Sequence, residues 1–463
     1  MSGVKFLGAL AVGLLAAFAR CGTSEVCVVE LTGDRADCLY GPGETCTFEV
    51  TGVVDTNGTR AAAGKFAYLI DDFATNVYRR GTLDFAVANP VRVTFEIPGP
   101  GFYRLRVLDA CKFDRRGKPV KRARDWGVGC EPEKIRKGSD SPADFDAFWA
   151  DARAKCAALP LDERVERVES MCTADWDVFA VSFRTVGKPD ARVYGVMSVP
   201  KGKPGERFPL MVEVPGAGFG EYSQYIWPKK DRIILKMGVF PWVPGRGVNS
   251  LDQRGEFKRL LADCAAHYGR KMGDAIVPRY MCWRLDDTRE SYYFYPIVLG
   301  IDRAIDWAVK RADVDTSRVW YEGTSQGGYF GLMLTALNHN FTRAAFFVPA
   351  GGDLYGYRKG RPSAHPSPYE AFAFDAGRQA RAVRNGVYFD GANFASRIEC
   401  PCLFVAGLAD VTCPACSVYA AYNEVKVGGK EIRVIPGMTH SMLEGVESAG
   451  DEWVVKGARS KQK

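Results

Sequence analysis

The chain has 463 residues, more than one average domain, and its 47% hydrophobic content supplies enough apolar material for sizeable cores, which excludes a disordered polypeptide. Its net charge of +7 is spread along the sequence. Only the run from Arg115 to Arg122 approaches a basic cluster, and it reads as a solvated hairpin loop, so nucleic acid is excluded as a partner.

At the N-terminus Lys5 precedes an apolar run from Phe6 to Ala19 that ends in Ala17-Phe18-Ala19, the small-x-small pattern of a secretory cleavage site. The run is shorter than the roughly twenty residues of a membrane-spanning helix. Residues 1–19 are therefore read as a signal peptide, and the protein as secreted or periplasmic with no stable membrane insertion. Cys21 suggests a lipid anchor, but Arg20 ahead of it fits a lipoprotein site poorly. In an oxidising compartment spare thiols are expected to pair, so disulfides are expected among Cys21, Cys27, Cys38, Cys46, Cys111 and Cys130.

From residue 22 to 125 short alternating runs such as Thr47-Phe48-Glu49-Val50 and Val91 to Ile97 are separated by turns such as Gly41-Pro42-Gly43 and Pro98-Gly99-Pro100-Gly101. This predicts a small β-sandwich domain, immunoglobulin-like in type. Ser141 then reads as a helix cap with Pro142 in the first turn. Beyond it, strands at Val178–Arg184, Arg192–Val199, Leu210–Val214 and Ile233–Leu235 lead to a helix with Ile297, Ile301, Ala304, Ile305 and Ala308 on one face. Such alternation over residues 126–455 predicts an α/β domain, a mostly parallel sheet with helices on both faces.

The chemistry begins at Gly323-Thr324-Ser325-Gln326-Gly327-Gly328, between a β-like run, Arg318 to Tyr321, and a helix-like one, Phe330 to Leu334. A G-x-S-x-G match is weak alone; between a strand and a helix it predicts a nucleophile elbow, whose tight turn needs small residues on both sides of Ser325. The α/β-hydrolase order places an acid and then a histidine downstream, each after a late strand. Of four histidines, His267 and His339 lie in helix-like stretches and His365 in a Pro-rich loop; His440 follows the strand-like Ile432 to Pro436. Asp410 follows Cys402 to Gly407 and is expected to orient His440, with Asp353 as a rival whose plainer reading is a loop-ordering Asx turn. The oxyanion hole is expected from the backbone N–H of Gln326 and, in the Gly-rich loop after Phe208 to Val214, that of Ala217. Cys400-Pro401-Cys402 and Cys413-Pro414-Ala415-Cys416 invite a metal or redox reading, yet no second Cys/His pair stands nearby at zinc spacing, so a structural role is expected and no metal or cofactor.

Around these residues the chain resembles the acetyl xylan esterase and cephalosporin C deacetylase family, carbohydrate esterase family seven, in exported forms with an extra N-terminal domain. The carriers are Gly129 to Ile135, Ser141 to Trp149, the Ser-Gln-Gly-Gly elbow and Gly407 to Pro414 leading into Tyr419 to Asn423. The resemblance implies an α/β-hydrolase fold and a metal-free serine esterase acting on acetylated oligo- or polysaccharides, with Ser325, Asp410 and His440 at the triad positions. Two departures bear on substrate range and on whether the protein forms a homo-oligomer: Gly245-Arg246-Gly247-Val248 stands where family members carry Arg-Gly-Gln, and Ser441 follows the histidine where many carry Glu. A secreted serine peptidase or general esterase on the same fold, and a non-catalytic glycan-binding protein, are the competing readings; the intact Ser, Asp and His disfavour the last.

Overall fold

A computed structural model describes residues 28–53, 64–74, 76–108, 110–113, 119–121, 123–189, 191–217, 226–240 and 280–459. The expected signal peptide, Cys21, Cys27, the Gly245–Val248 segment, His267 and most of the basic run lie outside these residues. No helix among the described residues is long and apolar enough to cross a membrane.

The described residues up to Cys130 form ten strands: β1 Val28–Gly33, β2 Leu39–Tyr40, β3 Thr45–Val53, β4 Lys65–Asp71, β5 Val77–Asp84, β6 Val91–Glu96, β7 Gly101–Val107, β8 Cys111–Phe113, β9 Pro119–Lys121 and β10 Arg124–Cys130. They build two five-stranded sheets in the orders β6-β3-β1-β8-β9 and β2-β10-β7-β4-β5. Alternation in β3 turns Cys46, Phe48 and Val50 inward. The rings of Phe95 in β6 and Tyr103 in β7 stand 5.6 Å apart, joining the two sheets. Strand β10 pairs with β7 from Arg124↔Val107 to Cys130↔Gly101, so the second sheet runs past residue 125.

The remainder centres on a nine-stranded sheet made of β11 Arg164–Arg167, β12 Trp176–Arg184, β13 Arg192–Pro200, β14 Phe208–Val214, β15 Ile233–Met237, β16 Val314–Thr324, β17 Arg343–Phe347, β18 Cys402–Gly407 and β19 Glu431–Ile435. Its order is β11-β12-β13-β15-β14-β16-β17-β18-β19. The six strands from β15 to β19 in that order are mutually parallel, while β11, β12, β13 and β15 pair antiparallel. This is the α/β-hydrolase fold, with a strand-rich N-terminal region ahead of it. Covered on both faces, β18 is buried at all six positions and reads as a continuous apolar run.

Helix α1, Phe145–Ala157, starts later than the Ser141 cap predicted. The Phe145 N–H donates to the Pro142 carbonyl at 3.0 Å, so residues 142–145 close a turn before the helix begins. Helix α2, Phe294–Ala308, buries Ile297, Ile301, Ala304, Ile305 and Ala308 as the periodicity predicted. Helix α3, Gln326–Leu337, is buried at every residue. It leaves the elbow straight into the core.

The expected disulfide framework is not met where the described residues can answer. Cys38, Cys46 and Cys130 hold free thiols, as do Cys156, Cys172, Cys400, Cys402, Cys413 and Cys416. The reason is packing: Cys46 and Cys130 act as small buried hydrophobes, and the Cys38 thiol donates to the Arg35 carbonyl and accepts from the Trp126 indole.

Candidate active site

Strand β16 delivers Ser325 to a turn with φ 57° and ψ −113°, a region that L-residues rarely occupy, at a cost of about 1–3 kcal/mol. Backbone hydrogen bonds hold it there: the Ser325 N–H donates to Phe347 O at 2.9 Å, and Ser325 O accepts from Ala350 and Tyr329 at 2.9 and 3.0 Å. Gly327 permits the turn by close approach, since a Cβ there would lie 2.0 Å from the Val214 carbonyl oxygen. The Ser325 hydroxyl stands 2.9 Å from Nε2 of His440.

His440 sits in the loop after β19, and its Nδ1 lies 2.8 Å from Oδ2 of Asp410, in the loop after β18. Asp410 is wholly buried, and its Oδ1 accepts from the Thr412 and Cys413 N–H groups at 2.7 and 2.9 Å. These bonds leave Oδ2 aimed at the imidazole. Asp353, the rival, is equally buried, but Gly138 and Tyr355 donate to its Oδ1 at 3.0 and 3.2 Å and Arg361 to its Oδ2 at 2.7 Å. The Tyr355 bond closes the Asx turn its sequence suggests. His339 stands at the surface 3.2 Å from Glu399.

Gln326 opens α3, where its N–H has no intrahelical acceptor. Neither that N–H nor the N–H of Ala217 finds an acceptor among the described residues. The buried Gln326 side chain ties the two places together: its amide donates to the Pro215 carbonyl at 3.2 Å and accepts from the Tyr280 hydroxyl. Pro215 is the root of the loop that carries Ala217. Sequence reasoning gave Gln326 only a backbone role and missed Tyr280, which stands far from the motif in the chain.

Two further groups meet at the site. The Cys413 thiol is buried beside the triad, and burial first, then the Asp410 carboxylate, pushes it well above the usual thiol range. Donor atoms of Asp410, Cys413 and His440 lie within 4.8 Å of one another. Those of Asp410 and His440 are already engaged with each other and with Ser325, the pattern of a proton relay rather than of a metal cage. His365, set aside in the sequence as a loop residue, lies within electrostatic reach of His440; burial first, then that neighbour, holds its imidazole below the ordinary value. Nothing in its Pro-rich surroundings signals this, because the interaction joins residues far apart in sequence.

A family model described as acetyl xylan esterase (AXE1) matches residues 131–456. The chain belongs to the acetyl xylan esterase family. It is similar to acetyl esterase Axe7A of Xylanibacter ruminicola, at 26% identity over 348 residues, 74% of this chain and 71% of that one. Among solved structures it resembles an acetyl xylan esterase from Paenibacillus sp. R4 with a TM-score of 0.56 and 23% identity, over 70% of this chain and 98% of the other. It also resembles acetyl xylan esterase 1 from Thermoanaerobacterium sp. JW/SL YS485, with a TM-score of 0.55 and 20% identity, over 70% and 97%. These two likenesses speak to the fold. Family membership makes the chain a carboxylic ester hydrolase of the serine type, a carbohydrate esterase that removes acetyl groups.

Proposed function

We propose that this esterase acts on acetylated xylan and its oligosaccharides through an acetyl-enzyme on Ser325. The observation that carries the reading is the unbroken line from Ser325 Oγ through the His440 ring to Asp410, at 2.9 and 2.8 Å. His440 takes the Ser325 proton as the oxygen attacks the acetyl carbonyl; the N–H groups of Gln326 and Ala217 receive the oxyanion; the sugar hydroxyl leaves with the proton from His440. Water, deprotonated by the same imidazole, then releases acetate. Asp410 fixes the tautomer and stabilises the imidazolium. No step draws on a metal or cofactor.

Residues 1–19 are proposed as a signal peptide that sends the protein out of the cytoplasm, the β-sandwich expected over residues 22–125 as a domain that extends to residue 130, and the residues after it, to 455, as the catalytic domain. The small-x-small pattern of Ala17-Phe18-Ala19 supports the first. The test of function is a panel of acetylated xylo-oligosaccharides, aryl esters of increasing acyl length and peptides. Acetate release from the sugar should exceed every other turnover. Faster cleavage of amides, or of long acyl chains, would assign the site to a peptidase or a general esterase.

A further inference from the structure

The family match begins at residue 131, one residue after β10 ends, so the double sheet of residues 28–130 is additional to what the family model covers. Phe102 in β7 packs on Tyr419, ring centroids 5.4 Å apart, and strand β10 meets the two loops that hold the acid and the base. The Gly127 N–H of β10 donates to the carbonyl of Pro436, four residues before His440, at 3.2 Å. A Cβ on Gly127 would lie 1.9 Å from the carbonyl oxygen of Leu408, two residues before Asp410. The neighbouring Trp126 ring covers Gly437, where a Cβ would come within 2.8 Å of the indole. Trp126 is itself anchored in the double sheet by its indole N–H, which donates to Cys38 Sγ at 3.3 Å. The loops are also tied to each other, Leu408 N–H to Ile435 O at 3.0 Å and Ala409 N–H to Met438 O at 3.1 Å.

We infer that Trp126 and Gly127 are positioning residues of the esterase: the N-terminal double sheet is a brace that sets the Asp410 and His440 loops at hydrogen-bonding distance. Gly127 is seated where one backbone passes directly against another, close enough to meet both loops at once. Neither residue touches substrate. Each acts through the separation of Asp410 and His440, and a misplacement of about 1 Å costs on the order of 100-fold in rate. The inference rests on the triad reading above.

The experiment compares Gly127→Ala, Trp126→Ala and Trp126→Phe with Val50→Ala, a truncation in the core of the same double sheet, buried in β3 of the sheet that does not contain β10. Folded protein is quantified by circular dichroism and thermal unfolding, and kcat and KM are measured on an aryl acetate. The downfield NMR resonance of the proton between His440 Nδ1 and Asp410 reports the loop spacing without turnover. Gly127→Ala and Trp126→Ala should lower kcat by about 10- to 100-fold with KM little changed, and should weaken or shift that resonance. Trp126→Phe, which keeps an aromatic face over Gly437, should restore most of both, and Val50→Ala should lose stability with kcat intact. Unchanged kcat and resonance in folded Trp126→Ala would overturn the inference, as would a loss in Val50→Ala equal to that in Trp126→Ala. A parent protein without esterase activity would refute the triad reading instead, and the resonance would still judge the brace.

Discussion

Asp410 holds His440 at 2.8 Å, whereas Asp353, just as deeply buried, gives both carboxylate oxygens to Gly138, Tyr355 and Arg361. The triad proposed above therefore predicts different outcomes for the two aspartates. Asp410→Asn should lose about 10⁴-fold in kcat, because an amide at that place favours the wrong imidazole tautomer. Asp353→Asn should keep the kcat of the folded fraction while breaking a buried ion pair, at a cost of about 3–5 kcal/mol. Steady-state kinetics beside thermal unfolding reads both, and a greater kcat loss in folded Asp353→Asn would reverse the assignment.

Gln326→Leu keeps the backbone N–H at the elbow and removes the side-chain clamp on Pro215 and Tyr280. The freed Pro215 carbonyl should let the Ala217 loop drift, and kcat should fall by about 100-fold, the scale of losing one oxyanion donor. KM should change far less. A kcat within about twofold of the parent would show that the loop holds its place without the clamp.

The Cys413 thiol lies within 4.8 Å of the facing Asp410 and His440 atoms yet is buried, and it is held protonated well above the usual range. Since the thiolate is the reactive form, iodoacetamide should spare Cys413 in the native protein and modify it after denaturation. Cys413→Ala should retain kcat within about tenfold, because a neutral thiol is a weak hydrogen-bond partner. Peptide mapping checks the first statement and kinetics the second. Native-state alkylation at Cys413 would contradict its placement.

Asp390 accepts from Ser139, Leu354 and Ala392, and burial first, then the nearby Asp353 carboxylate, pushes it up to about 8. An aspartate raised this far above its ordinary ~3.9 binds its proton more tightly in the folded chain. Its contribution to stability is fully present below that ordinary value and is lost as pH climbs towards about 8. Thermal unfolding of the parent should therefore show Tm rising as pH is lowered from about 8 to about 6, relative to Asp390→Asn, whose profile should be flatter. Parallel profiles would refute the shift.

The chain revealed its parallel sheet and its elbow because both rest on local signals: buried apolar runs such as Cys402 to Gly407, and small residues on either side of Ser325. Asp410 and His440 could be named because each follows one of those runs in a fixed order. The placements of Tyr280 and Trp126 were hidden, since each depends on a contact across tens of residues that leaves no pattern in its own surroundings. The cysteines are ambiguous in sequence for a physical reason. A thiol can fill a core position as well as a bridge, and composition does not distinguish Cys46 packed in a sheet from Cys46 paired.

Turnover of an acetylated xylo-oligosaccharide by folded Ser325→Ala tests the central claim most directly. The account predicts a loss of about 10⁴-fold or more in kcat with unfolding behaviour like the parent's, because nucleophile and base act as one unit. A folded Ser325→Ala protein that still released acetate within about tenfold of the parent rate would contradict it.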